Sequence, residues 1–244
     1  MSTDEIYKRD SDEKPFRFNK DVASVFPDML RRSIPGYAAT IEAIGSLAAR
    51  YVEADTNCYD LGCSLGASTL AMRQGIDQPG CQITAVDMAP AMTARCREII
   101  AEDDKQSISS TAVEVVEADI RDVEITNASM VVLNYTLQFL AMADRDELIL
   151  SIAGGMNEGG LLVLSEKVVD ENDEMEELLI DLHHEHKRRN DYSGLEISRK
   201  RAALENVLIP ETVAAHRRRL ESAGFSHTAV WLRYFNFVSI IAIR

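Results

Sequence analysis

Hydrophobic residues recur at helical spacing from Val22 to Ser33, which predicts a helix there. Ile34 to Tyr37, with Pro35 and Gly36, punctuates it. A second helix follows, carrying Ile41, Ile44, Leu47, Ala48 and Tyr51 on one face. The rhythm then changes to short apolar runs of strand length, over 57–61, 82–87, 113–117, 130–134 and 161–165. Helical patterns separate them at 67–74, 90–101 and 144–156. Pro90 suits a first helical turn, where its missing N–H has no intrahelical partner anyway. The helix from Asp144 stops at the Asn157 to Gly160 turn. Short apolar strands alternating with helices predict a parallel sheet covered on both faces. Residues 170–207 interrupt the alternation: they are charged, helical in pattern and broken near Tyr192 to Gly194. They read as an insertion over the top of the sheet. Another helix runs over 210–223 and ends at Gly224, and 228–234 and 236–243 then read as successive strands forming a terminal antiparallel hairpin.

At 244 residues the chain suits one elaborated domain. Its composition is ordinary for a globular protein, 46% hydrophobic and 27% charged. Residues 1–15 are polar and charged, and are expected to form a disordered tail before a single domain over 16–244 that includes the insertion at about 170–207. The opening string MSTDEIYKRDSDEKP lacks the apolar core of a secretory signal. No apolar run approaches the roughly 20 residues of a membrane-spanning helix, so no membrane association is expected. Cys58, Cys63, Cys81 and Cys96 form no CxxC pair, which fits reduced thiols and a cytoplasmic setting. Lys and Arg total 26 against 40 Asp and Glu, a net charge of −14. Such a surface repels polyanions, so direct nucleic-acid binding is not expected.

In a doubly wound sheet, ligands sit beyond the carboxyl ends of the strands, where strand order reverses. The first strand end reads DLGCSLG (60–66), an acid followed by G-x-x-x-G. It is not the G-x-G-x-x-G dinucleotide fingerprint. It resembles motif I of class I S-adenosylmethionine (SAM)-dependent enzymes, acid-x-G-x-G-x-G, with Ser64 at the central glycine; an ordinary tight strand-to-helix turn is the alternative. Asp87 closes the second strand, where a carboxylate can accept from both ribose hydroxyls or cap the next helix. Asp119 and Ile120 follow the third strand, placed for an adenine edge and ring face or for a local turn. Asn134 ends the fourth strand, facing a ligand's reacting end or capping a short helix. Elsewhere, His183, His184 and His186 lack a convincing third ligand and any HExxH pattern, so they read as a solvated face and no metal is expected. Lys187 to Arg189 and Arg217 to Arg219 read as surface runs, and no cysteine has a base partner near it in sequence.

Longer strings carry a more specific resemblance. VFPDML (25–30), RSIPGY (32–37), YDLGCSLGA (59–67), NASMVVLNYTLQFL (127–140), LSEK (164–167) and LEISRKRAALEN (195–206) together resemble the carboxy-S-adenosyl-L-methionine synthase family of bacterial enzymes. The resemblance runs from about residue 20 to the C-terminus. It implies a Rossmann-like class I methyltransferase fold, α/β, with a seven-stranded, mostly parallel sheet. It also implies SAM and prephenate as small-molecule substrates, a homodimer, and a product used by a separate enzyme that modifies the tRNA wobble uridine. By position, Tyr37 matches the family's tyrosine beside the methionine part of SAM. Gly62, Cys63 and Ser64 match its first-loop contacts, Asp87 and Met88 its ribose pair, Asp119 and Ile120 its adenine pair, and Asn134 its asparagine after the fourth strand. Met88 stands where the family often carries a polar residue. Arg201 matches the arginine that grips the added carboxylate.

What the resemblance implies chemically is a carboxyl transfer. Prephenate loses carbon dioxide and hydroxide as its ring aromatises, a proton leaves the sulfonium methyl, and that carbon captures the carbon dioxide. Arg201 would orient the carboxylate and Tyr37 would position the reacting groups. A permanent cation beside a sulfonium makes little sense in an ordinary methyltransferase, because like charges repel. It makes sense where the product carries a carboxylate, which the planar guanidinium fork matches through two parallel hydrogen bonds. Two other readings share the SAM-binding positions: a methyltransferase acting on a small molecule or RNA, and a non-catalytic SAM-binding protein. The sequence leaves open which cations hold prephenate, with Arg31, Arg32, Arg199 and Lys200 among the candidates.

Overall fold

A computed structural model of the chain describes residues 3–8, 15–106 and 109–244. Two helices come first, α1 (Lys20–Ser33) and α2 (Tyr37–Tyr51). Strands and helices then alternate: β1 (Asn57–Leu61), α3 (Ala67–Gly75), β2 (Gln82–Asp87), α4 (Pro90–Asp103), β3 (Ala112–Glu117), β4 (Ala128–Asn134), α5 (Met142–Gly155) and β5 (Met156–Lys167). Helices α6 (Asp173–Arg189), α7 (Gly194–Leu204) and α8 (Val213–Ser222) precede the hairpin of β6 (His227–Tyr234) and β7 (Phe237–Ile243). The seven strands form one sheet in the order β3-β2-β1-β4-β5-β7-β6. β1 to β5 are parallel, and β7 runs antiparallel to both β5 and β6. Strand order reverses between β1 and β4, which opens a crevice at their carboxyl ends.

The apolar runs of the central strands follow from burial on both faces. On one face Tyr59, Leu61, Val131, Leu133, Leu162 and Leu164 pack with Leu148, Ile149 and Ile152 of α5 and Leu220 of α8. The intervening residues Cys58, Met130, Val132, Leu161 and Val163 meet Ile44 and Ala48 of α2 and Met72 of α3. Successive side chains point to opposite faces, so a strand covered twice needs an apolar residue at every position. Helices α2 and α3 approach closely at Gly45 and Gly75. A Cβ on Gly75 would collide with the Gly45 carbonyl oxygen and sit 3.3 Å from Ala48 Cβ. Helix α1 packs with α4 and with Phe16 in a third cluster, whose margin includes Ala203 and Leu204 of α7. The sequence-predicted insertion is thus two helices, α6 and α7, capped by Asn172 and by a Ser193/Glu196 capping box.

Several boundaries differ from the sequence expectation, and α1, α5 and β4 each begin two residues early, at Lys20, Met142 and Ala128. β5 begins at Met156 rather than Leu161, because Met156 already pairs with Ala128 across a register shift. α8 begins at Val213 rather than Pro210, since Thr212 caps it and Glu211 stays extended, bridging to Val168. The disordered tail expected over 1–15 does not describe residues 3–8, while 1–2 and 9–14 lie outside the described residues. Asp4 is buried: its N–H donates to Asp28 Oδ2 (2.8 Å), its carboxylate accepts from Tyr192 Oη, and its carbonyl accepts from Arg32 Nη1 (3.2 Å). A buried carboxylate is held wherever enough donors converge on it, and here Tyr192 Oη is joined by Ile6 N–H at 3.3 Å and by the Lys200 ammonium of α7 at 3.8 Å.

Candidate functional site

The crevice continues into a cavity of about 530 Å³ under α1, α6 and α7. All ten residues proposed for the site from sequence line it: Tyr37, Gly62, Cys63, Ser64, Asp87, Met88, Asp119, Ile120, Asn134 and Arg201.

The β1–α3 loop makes the floor. Gly62, Ser64 and Gly66 have φ of +83°, +49° and +82°, so the loop curls through the left-handed region. The N–H groups of Gly62 and Cys63 both donate to Val86 O, at 2.8 and 2.9 Å. At Gly62 a side chain is also sterically excluded. A Cβ there would collide with Thr136 Oγ1 and Cγ2 and come within 2.9 Å of Thr136 Cβ. Asp60, the acid of the motif, is fully buried beneath the loop and accepts from Thr69 Oγ1 at 2.6 Å; burial pushes its carboxyl up to about 7. It braces the loop rather than facing the cavity. Cys63 packs beside Cys96 in a small apolar cluster. Its thiol is pushed far up, first by its hydrogen bond with Cys96 and then by burial, so it stays protonated and is no nucleophile.

Asp87 accepts from Ser64 N–H (3.0 Å, Oδ2) and Ala89 N–H (2.8 Å, Oδ1), which fixes its carboxylate at the cavity edge; burial raises its pKa. Met88 beside it is 69% exposed. Asp119 is gripped by the Arg121 guanidinium, at 3.0 Å to Oδ1 and 2.6 Å to Oδ2, and this pairing holds its carboxyl below the usual range. Arg121 also reaches Asp144. Ile120 is buried next to it. After β4, Asn134 Nδ2 donates to Ser68 Oγ at 3.2 Å, while its buried Oδ1 has no partner. An unpaired buried acceptor at a cavity wall is a place for a ligand donor. Tyr135 follows at φ +62°, and its ring lies 6.4 Å from that of Tyr37. Burial raises the pKa of both phenols, keeping them neutral.

The turn after Tyr135 is locked by a buried carboxyl, pushed up to about 8 by burial, and a buried guanidinium, neither of which the sequence advertised. Glu166 accepts from the N–H groups of Leu137 and Gln138 at 2.9 and 3.0 Å. Arg145, with no exposed surface, pairs with Glu211 at 2.6 Å and donates to the carbonyls of Gln138, Leu140 and Ile209. Glu166 closes an apolar strand beside Lys167, and Arg145 lies in the charged first turn of α5 between Asp144 and Asp146, so nothing local marks either as buried.

The far wall is cationic. Lys167, Lys187, Lys200 and Arg201 line it together with His183 and His184. Arg201 is exposed at the rim and has no hydrogen bond or ion pair among the described residues. His183 is not on a solvated face: it is buried, bonded to Ser33 O at 2.9 Å and 4.8 Å from the Phe237 ring, and burial lowers its pKa. Lys187 is not a surface residue either. The available signal was the helical spacing of Ile180, His183, His184 and Lys187, which share one face of α6. Of the other cations considered for prephenate, Arg31 pairs with Asp28, Arg32 sits 4.0 Å over the Tyr192 ring, and Arg199 donates to Tyr7 O. None of these three lines the cavity.

The family described as "Methyltransferase domain" matches residues 59–160. Among solved structures, human N-acetylserotonin methyltransferase in complex with SAM superposes with a TM-score of 0.62 at 18% identity, covering 92% of this chain and 55% of that one. A Methanococcus maripaludis protein described as a putative S-adenosyl-L-methionine-dependent methyltransferase gives 0.59 at 20%, covering 96% and 97%. The comparisons thus define the fold class, a Rossmann-like fold of the class I methyltransferase type. The carboxy-S-adenosyl-L-methionine synthase of Aliivibrio fischeri is 55% identical over 229 residues, covering 94% of this chain and 93% of that protein. That of Vibrio atlanticus is 52% identical over 244 residues, covering 100% and 99%. The chain belongs to the carboxy-S-adenosyl-L-methionine synthase family.

Proposed function

We propose that the chain converts SAM and prephenate to carboxy-S-adenosyl-L-methionine and phenylpyruvate, with release of water. Prephenate, a dianion, yields phenylpyruvate, carbon dioxide and hydroxide as its ring aromatises. The hydroxide takes a proton from the sulfonium methyl, and the carbon so exposed forms a bond to carbon dioxide. Proximity, exclusion of water and placement of charge are the protein's share.

Asp87 would hold the ribose hydroxyls and Asp119 with Ile120 the adenine. Gly62, Cys63 and Ser64 would follow the ligand along the floor, Met88 would contribute its backbone, and Asn134 Oδ1 would accept from the ligand. Tyr37 would position the reacting groups, and Arg201 would grip the new carboxylate. The observation that carries the reading, beside family membership, is the Arg201 guanidinium on the wall of this cavity, unpaired among the described residues. A sulfonium gains nothing from it, and a carboxylated product does. We further place the protein in the cytoplasm as a homodimer, with α6 and α7 as the contact, and its product as the donor for a tRNA wobble-uridine enzyme.

Incubation with SAM and prephenate tests the reaction. Phenylpyruvate and a nucleoside one carbon dioxide heavier than SAM are expected. SAM consumed with no phenylpyruvate would overturn the assignment in favour of methyl transfer.

A further inference from the structure

The charges that line the cavity are segregated. Asp87, Asp119 and Asp144 lie on the walls built by the ends of β2 and β3 and the start of α5. Lys167 at the end of β5, Lys187 on α6 and Lys200 and Arg201 on α7 face the opposite part. Glu205 is the acidic lining residue at the end of α7. Lys187 and Lys200 are buried and Lys167 is half-buried, and all three line the cavity.

Their partners do not balance them. Lys200 donates to Ser33 Oγ at 3.0 Å and has Asp4 Oδ2 at 3.8 Å. Lys167 feels Glu176 but also the Arg201 charge. The ammonium of Lys187, a residue only 9% exposed, has no hydrogen bond or ion pair among the described residues. Burial lowers the pKa of all three, and Lys187 is depressed further by the Lys200 and Lys167 charges. A buried charge without a counter-charge is costly, and such groups are paired in proteins unless a ligand supplies the opposite sign. SAM does not supply it. Its sulfonium and ammonium outweigh its single carboxylate, so it adds positive charge to the cavity. A second ligand carrying two negative charges would offset the wall.

We propose that Lys167, Lys187 and Lys200, brought together from β5, α6 and α7, form the cradle that binds the dicarboxylate carboxyl donor, leaving Arg201 for the carboxylate after transfer. This rests on the reaction proposed above and assigns the site of its second substrate. Lys187, whose ammonium is unpaired among the described residues, is the one on which the dianion depends most. Lysine suits the task because a compact ammonium on a flexible stem can follow a carboxylate as it departs.

The experiment compares wild type with Lys187→Met, Lys167→Met and the charge-keeping Lys187→Arg. Turnover is read by phenylpyruvate release. Binding of prephenate is read by calorimetry with S-adenosylhomocysteine in place of SAM, so that no reaction occurs. The expected result is a loss of at least about tenfold in prephenate affinity for each Met variant, the scale of one charge-assisted hydrogen bond. SAM affinity should change less than about twofold on the same scale, and Lys187→Arg should recover most of the loss. Lys187→Met should also melt at a higher temperature than wild type without ligand, because it removes an uncompensated buried charge. Unchanged prephenate affinity in both Met variants, or a loss confined to SAM, overturns the cradle while leaving the reaction intact. Prephenate bound by wild type but not by Lys187→Met, with no phenylpyruvate formed, supports the cradle and overturns the reaction. If wild type neither binds nor converts prephenate, both fail. Should Lys187→Met melt lower than wild type, Lys187 is structural, and Lys167→Met with Lys187→Arg decides the matter.

Discussion

Gly62 concentrates the geometry of the floor in one position, and Gly62→Ala tests it. Two costs add. At φ +83° an L-residue with a Cβ is strained by about 1–2 kcal/mol relative to glycine. The new Cβ would also collide with Thr136 Oγ1 and Cγ2 and lie 2.9 Å from Thr136 Cβ, so rotating the threonine does not free the space. Either the β1–α3 loop lifts or the turn after β4 retreats, and that turn is held by Glu166 and Arg145. Overpacking of this kind costs about 1–3 kcal/mol more. The total of about 2–5 kcal/mol corresponds to a fall of roughly 4–20 °C in melting temperature for a chain of this size. SAM affinity should drop at least about tenfold, since both loops contact the ligand in the reading above. Thermal melts and SAM titration of Gly62→Ala, Thr136→Gly and the double variant form a cycle. The double variant should recover the steric part and retain the strain. A Gly62→Ala protein with wild-type melting and SAM affinity would refute the account of the floor, and purely additive single effects would refute the contact with Thr136.

Arg201→Ala is expected to bind SAM as wild type does but to lose preference for the carboxylated product; equal product affinity of mutant and wild type, by titration, rejects the grip. Arg145→Met leaves Glu211 with Arg219 alone and removes the guanidinium from the Leu140 and Ile209 carbonyls, while Gln138 O keeps Ile209 N–H, and should destabilise by about 3–5 kcal/mol in denaturant melts; a loss below about 1 kcal/mol would show that the turn does not depend on it. Prephenate KM should rise with pH through about 7 to 8 as Lys187, and then Lys200, lose their protons, against a field set by Lys167, Arg201, His183, His184 and Asp4. The sign for stability is opposite. Lys187 falls from 10.5 to about 7 on folding, so the unfolded chain binds more protons between those values and the ligand-free protein gains stability as pH rises across them. A KM independent of pH over that range, with SAM saturating, would contradict it.

What the residues determined by themselves was the sheet and its ligand-facing rim. Strands buried on two faces must be apolar at consecutive positions, so β1 to β5 stand out as short runs. A parallel sheet places the ends of those runs on one edge, which is why Asp87, Asp119 and Asn134, each at or just after a strand end, line one cavity. The charged wall was not legible in the same way. Lys167, Lys187 and Lys200 come from three elements; Lys187 reads as a surface cation and Lys200 as one of several candidates for prephenate, because local pattern reports which face of a helix is polar, not whether water reaches it. His183, Arg145 and Asp4 were hidden for the same reason, since their partners Ser33, Glu211 and Tyr192 are distant along the chain. Periodicity is a property of neighbours in sequence, whereas desolvation of a charge depends on what folds over it. Only the packing of α6 and α7 across the strand ends decided which cations face the cavity.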